Sequence, residues 1–464
     1  MKKNYQRNHI PELKENALKT SIKEGTAANI STNVGDSYVI PFALALNANS
    51  TQIGILSSLS LFLYQLSQLF GARMLERYSR KKIVLYFVFL QAISWLFVSA
   101  IAIAVWKNLF DGYSIWLLII FYSILMAFGG IAHPNWFSWM GDLVQKDKRG
   151  EYFGKRNKIT SFVGVIAALL AAFFLDYFKT KGYVLLAFSV LFALAFLFKF
   201  VSYLFLTKQY DPKFKQKKKD YFSFLSFVKR FDNFGKFAVY QGFFNFAVML
   251  ASPFFTVYML KELGFSYTLF IITLVSYTIF YLAFLQLAGK FSDRYGNKNL
   301  TIITNFFFIL TPLFYILFKN PIAIIILPQL TAGIANAASV ISFSNFIYDS
   351  VSPRHRALCA AYTNIIAGVG ILFGALLGGL IVDRFHPTTM NPYIFVFLVA
   401  MLTRFLVALI FLPEIKEVRK VKRLPSEYTF FIHPISFMHT EGTKLLHLPE
   451  RVLGKFKSMK SFGI

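Results

Sequence analysis

A run of about 20 apolar residues, long enough to cross roughly 30 Å of hydrocarbon as a helix, recurs twelve times in this chain. The stretches run from Ala27 to Asn47, Ile53 to Phe70, Ile83 to Val105, Ile115 to Met140, Ile159 to Leu175 and Tyr183 to Leu206. After a basic interval come Phe237 to Leu260, Tyr267 to Ala288, Leu300 to Phe318, Ile322 to Ile347, Leu358 to Val382 and Tyr393 to Phe411. Each is continuously apolar rather than alternating, and too long for the tilted strands of about ten residues that build membrane barrels. Helices remain, because a helix satisfies its backbone groups within its own segment. Charged residues make up 15% of the chain, against about 25% in soluble domains, which excludes an ordinary water-soluble enzyme.

The net charge of +27 from 49 Lys and Arg against 22 Asp and Glu has to be located before it is interpreted. With both termini cytoplasmic, 41 of the basic residues fall in cytoplasmic segments and 6 in outer loops, leaving Lys199 and Arg404 within spans. That asymmetry is the positive-inside pattern of a multi-pass protein, expected here in the plasma membrane. It accounts for the charge without nucleic acid. The first 25 residues carry charges and no apolar core, so no cleavable signal peptide is expected. The lone Cys359 excludes a disulfide framework.

The chain also repeats itself. Asp142, Val144, Arg149, Asn157 and Asp176 recur as Asp349, Val351, Arg356, Asn364 and Asp383, each 207 positions later. The segment from Ala72 to Lys81 pairs with Gly289 to Lys298 at an offset of 217, between the second and third spans of each half. Two parallel six-span repeats follow. The expected organisation is an amino-terminal tail (1–26), a six-helix bundle (27–206), a basic linker (207–236) bearing Lys213, Lys215, Lys217, Lys218 and Lys219, a second bundle (237–412) and a basic tail (413–464).

Twelve spans in two halves, with Gly289, Asp293, Arg294, Gly296 and Lys298 spaced after the eighth, resemble the major facilitator superfamily over roughly residues 27 to 412. The resemblance implies an all-α integral membrane protein of two pseudo-symmetric six-helix bundles. It also implies that Glu76, Arg77, Asp293 and Arg294 serve a cytoplasmic gate. The first copy of the motif departs from the pattern at Ala72, Glu76 and Ser79. Physical reasoning points the same way: an acid at a membrane edge accepts from free N–H groups at a helix start, and Arg pairs with a carboxylate on another span. Asp142 and Asp349, at the inner ends of spans four and ten, are the expected partners, with Arg80, Arg149 and Arg356 in the same gate. Such pairs would hold an outward-open state; the alternative is that these charges only keep the loops cytoplasmic.

Ionisable groups inside spans cost roughly 2.5 to 3.5 kcal/mol each on insertion scales and ask for an explanation. Asp36 lies mid-span, with Asn29, Asn33 and Ser37 on the same helix; Gln241, Asn245 and Ser252 share a face of the seventh span. The resemblance places the first helix of each half on a central cavity. Asp36 is thus expected to be a proton- or ion-linked carboxylate and Asn33, Gln241 and Asn245 to contact solute, unless Asp36 merely pairs with a Lys or Arg. Lys199 and Arg404, in the last span of each half, either snorkel, pair structurally, or face the cavity. His133, ahead of Pro134, is a proton relay or a hydrogen-bonded interior histidine. Asn336, with Gln329, Ser339 and Ser342, lines the cavity or bonds between helices. Gly370, Gly374 and Gly378, four apart, let helices approach closely.

No nucleotide-binding Gly-Lys-Ser/Thr loop, metal-ligand spacing or nucleophile set is found, so no enzyme, cofactor or metal is expected. The reading is a monomeric secondary transporter of a small solute working by alternating access and coupled to a proton or ion gradient. A non-transporting membrane scaffold or sensor is the rival.

Overall fold

Helix starts are written locally in the sequence. Asn49, Ser79, Asp232, Ser266, Asn320 and Asn391 each stand just before a helix and accept a hydrogen bond from one of its first backbone N–H groups. At Asn49 the arrangement is reciprocal, because Gln52 reaches back to the Asn49 N–H. The computed structural model describes residues 2–75, 77–109, 112–145, 148–212, 223–229, 232–352, 355–385 and 390–422.

The first half contains α1 (Lys2–Val34), α2 (Val39–Ala45), α3 (Ser50–Met74), α4 (Arg80–Trp106), α5 (Ser114–Leu143), α6 (Arg149–Thr180) and α7 (Val184–Lys208). A short α8 (Phe224–Val228) precedes the second half: α9 (Asn233–Met249), α10 (Ser252–Val257), α11 (Tyr267–Tyr295), α12 (Asn297–Leu317), α13 (Pro321–Ser350), α14 (Arg356–Arg384) and α15 (Pro392–Phe411). Among the described residues, 11 helical units are long and apolar enough to cross a membrane.

The expected first span is not among those units, because it is broken. α1 stops at Val34, a 3₁₀ turn covers Asp36–Tyr38, and α2 resumes at Val39. Gly35 sits at the break, where any side chain would run into the Trp95 ring. The first span of the second half breaks too: α9 ends at Met249 and α10 restarts at Ser252 with Pro253 in its first turn, where a missing N–H costs nothing. The residues assigned to the amino-terminal tail form the early turns of α1. Lys14 Nζ donates to Asp142 O at 3.0 Å and Tyr152 hydroxyl to Leu18 O at 3.0 Å, so this extension packs on the ends of α5 and α6. The linker lysines 213–219 and the tail beyond Lys422 lie outside the described residues.

The two bundles meet along α3 with α14 and along α6 with α11. Call the end carrying Arg80 and Asp142 the basic end, and the opposite end, carrying Asp176 and Asp383, the far end. At the far end one apolar core runs through both bundles, joining Tyr38, Phe42, Leu175 and Phe188 to Phe254, Tyr267, Tyr315 and Phe397. Toward the basic end the core divides. Ile83, Val84, Trp139 and Met140 form a cluster within the first half, and Phe237, Phe308, Phe346 and Cys359 another in the second, against which Leu69 of α3 packs from the first half.

Candidate functional site

The break in the first span exposes the start of a helix, and Asp36 is its first residue. Tyr122 of α5 donates its hydroxyl to Asp36 Oδ1 at 3.2 Å. Lys199 of α7 lies within electrostatic reach of both Asp36 and Glu24, the latter on α1. Glu24 is buried, and it accepts from Arg156 Nη2 at 3.1 Å and from the Ser202 hydroxyl at 3.1 Å. Arg156 also lies over the Trp136 ring, 4.6 Å from its centroid. A series of alternating charges thus threads the first bundle: Arg156, Glu24, Lys199, Asp36. Each offsets the cost of burying its neighbour.

The other expected cavity residues are placed less uniformly. Asn33 donates to Asn29 O at 2.9 Å and Oδ1 at 2.8 Å, and both lie against Gly164 of α6, where a side chain would displace them. His133 is exposed, with the Tyr64 and Trp136 rings at centroid distances of 6.4 and 6.5 Å. It stands eleven residues along α5 from Tyr122, about 16 Å toward the basic end. In the second bundle, Asn245 donates to Gln241 O at 2.8 Å, Asn336 to Ala332 O at 2.9 Å, and Gln329 to the Tyr315 hydroxyl at 2.9 Å.

Arg404 explains how the second break is tolerated. Ala251 N–H turns to Val248 O at 3.4 Å, leaving the Ala247 carbonyl without its usual partner four residues on. The guanidinium of Arg404 takes it at 3.3 Å, together with Val248 O at 3.0 Å and Phe308 O at 2.6 Å. Buried to 3% exposure, Arg404 acts as a cap for the end of α9 rather than snorkelling.

At the basic end, Arg80 Nη1 lies 2.7 Å from Asp142 Oδ2 and also donates to Ser138 O at 2.9 Å. In the second half Asn297 Nδ2 donates to Asp349 Oδ2 at 2.7 Å, and Arg419, beyond the last helix, lies 3.0 Å from the same carboxylate and 3.9 Å from Asp293. Arg149 and Arg356 make twin contacts with the carbonyls of Gly141 and Tyr348. Arg294 stacks on the Tyr295 ring at 5.2 Å, Arg77 is exposed, and Glu76 lies outside the described residues. These contacts stay within one bundle or between a bundle and the segment that follows it.

Among the described residues, the hydrogen bonds across the bundles gather at the far end. Asp383 accepts from Ser50 N at 3.0 Å and Thr51 N at 2.6 Å; Asp176 accepts from Tyr267 N at 2.8 Å and Thr268 N at 2.8 Å. Sequence reasoning used these two aspartates only as markers of the repeat. Glu24, Arg156, Tyr122, Asn297 and Arg419 were missed, although Asn297 stands at the Arg80 position of the second motif copy.

The profile of the Major Facilitator Superfamily matches twice, over residues 27–251 and 237–460. The chain belongs to the Major Facilitator Superfamily. This superfamily member is a multi-pass membrane protein of a transporter family, with the fold of two six-helix bundles. Its structure is similar to that of a mutant of the nucleoside transporter NupG, with a TM-score of 0.65 and 17% identity over 86% of this chain and 100% of the other. A POT family transporter in complex with 5-aminolevulinic acid follows, with a TM-score of 0.64 and 14% identity over 86% of this chain and 96% of the other. Identities this low speak to the fold alone. In sequence, the vacuolar basic amino acid transporter 1 of Saccharomyces cerevisiae is 36% identical over 104 residues, a match spanning 22% of this chain and 18% of that transporter.

Proposed function

We propose that this superfamily member is a secondary active transporter that carries a small solute across the plasma membrane by alternating access. The observation that carries the reading is the shape of the core, single at the far end and divided toward the basic end. That is the form expected of two rigid bundles closed on one side of a site and parted on the other. With the basic end cytoplasmic, as the positive-inside pattern argues, this is the state that receives solute from within.

The site lies at the depth of the paired helix breaks. Interrupted helices in corresponding positions of two halves mark where a solute site forms between repeats, although at the second break Arg404 already takes the carbonyls of Ala247 and Val248. Asp36, with Tyr122 and Lys199 beside it, is the ion-coupling carboxylate, its proton or cation linking the gradient to the bundle equilibrium. Asn245 and Gln241, on the facing first helix of the second half, contact the solute.

The test has two stages. Thermal stability of purified protein is measured against nucleosides, basic amino acids, short peptides, organic acids and sugars; saturation at 100 times the dissociation constant stabilises by about 2.7 kcal/mol. The responding solute is then followed into vesicles. Asp36→Asn should abolish uptake driven by a pH gradient while leaving solute exchange, whereas undiminished driven uptake removes Asp36 from coupling. No stabilisation by any class moves the weight to the scaffold reading.

A further inference from the structure

We propose that Asp176 and Asp383 are a paired gate at the far end, two carboxylates whose contacts with helix starts in the opposite bundle set how often that side opens. The inference rests on the alternating-access reading and adds the residues that hold its closed side.

The first N–H groups of a helix have no partner within it. In α3, Asn49 takes the N–H of Gln52, the third residue, and Asp383 of the other bundle takes those of Ser50 and Thr51, the first and second. In α11 the same division recurs: Ser266 takes the N–H of Leu269, and Asp176 takes those of Tyr267 and Thr268. Each helix start is therefore completed only when the bundles are together. Each aspartate also meets the positive end of the helix dipole, so its charge contributes as well as its geometry.

The arrangement is built twice. Asp176 and Asp383 are 207 positions apart, Asn49 and Ser266 are 217 apart, matching the two offsets of the repeat. Chance packing would not reproduce donor, cap and acceptor together across both seams. Weaker contacts surround the pair: Lys179 lies over the Tyr267 ring at 5.3 Å, and Lys261 Nζ reaches Ala48 O at 3.5 Å. At the basic end, by contrast, Arg80 with Asp142 and Asn297 with Asp349 bind within a bundle, so they do not tie one bundle to the other.

The experiment uses Cys359→Ser to remove the lone, buried thiol, with Ala48→Cys as reporter, a position 1% exposed beside the far-end seam. A membrane-impermeant maleimide is applied to the far side of vesicles. Asp176→Asn and Asp383→Asn should each raise the labelling rate about tenfold, as loss of a charge-assisted contact implies, and the double variant should exceed either. The Asn variants keep the side-chain shape; Asp176→Glu and Asp383→Glu, which keep the charge, serve as second probes and should label between the parent and the Asn forms. Unchanged labelling in the double variant overturns the gate, and acceleration by only one aspartate overturns the pairing. Faster labelling in a protein that moves no solute would keep the gate while the transport reading fails.

Discussion

Arg80 and Asn297 hold equivalent aspartates at the same distance: each side-chain nitrogen lies 2.7 Å from a carboxylate oxygen, of Asp142 in one half and of Asp349 in the other. The first half makes this contact with a buried charge. The second makes it with a neutral amide, and Arg419 brings the missing charge from beyond α15.

Replacing Arg80 by Gln should therefore imitate the second half without its helper. The Asp142 side chain is 47% exposed, so the Coulomb part is screened and the loss falls mainly on the guanidinium's buried hydrogen bonds with Ser138. A destabilisation of about 1–3 kcal/mol is expected, read as a lower unfolding temperature of the purified protein. An unchanged midpoint would show that the contact is idle.

Arg419→Ala alone should cost no more than about 1 kcal/mol, since both partners are partly exposed. Deleting residues 412–422 should do considerably more. Leu412 and Ile415 are buried in the second bundle's core, and Glu417 accepts from Lys298 N at 2.8 Å. Hydrogen exchange should rise around Ser292 to Lys298 in the deletion and much less in Arg419→Ala; equal protection in all three proteins would mean the segment does not support that loop.

Arg404→Lys keeps the charge but not the planar fork that reaches three carbonyls. A loss of about 2–4 kcal/mol is expected from the unmet acceptors. Proteolysis at the α9 to α10 break would detect the local loosening, and resistance equal to the parent protein would argue against the capping role.

Gly374→Val should be as damaging as a core overpacking change, about 1–3 kcal/mol, because a side chain there meets the Phe246 carbonyl of α9. Gly150→Ala, at a helical position with open space around it, is the control and should leave thermal stability unchanged or slightly raised. If both variants melt alike, close packing does not explain the glycine spacing.

Much of the fold was legible because its causes are local or periodic. Continuous apolar runs mark spans, and the offsets of 207 and 217 mark the duplication. The break at Gly35 was hidden, because Asn33, Asp36 and Ser37 around it read as a polar stripe on a continuous helix, and the Trp95 ring from α4 that lies where a Gly35 side chain would stand is distant in sequence. Asp36 stood out as a charge in an apolar run, but the Tyr122 hydroxyl that bonds it and the Lys199 charge that acts on it come from 86 and 163 positions away in sequence. Asp142 could be named as an acceptor; that Arg80 rather than Arg77 reaches it goes with the helix starting at Arg80, behind the Ser79 cap. The aspartates of the far end looked like repeat markers because the donors they meet are backbone groups, which carry no residue signature.

α14 is held on two sides by near-featureless surfaces. Toward α9 it presents Gly370, Gly374 and Gly378; toward α3 of the other bundle it presents Gly368, Ala375 and Gly379, opposed at one point by Gly54. Long side chains would interlock there and have to unlock at every turn of a transport cycle. Small ones would make the seam a bearing: contact can be kept while the helices slide or tilt, so if the far-end aspartates act as the proposed gate, they rather than the seam itself would set the resistance to motion.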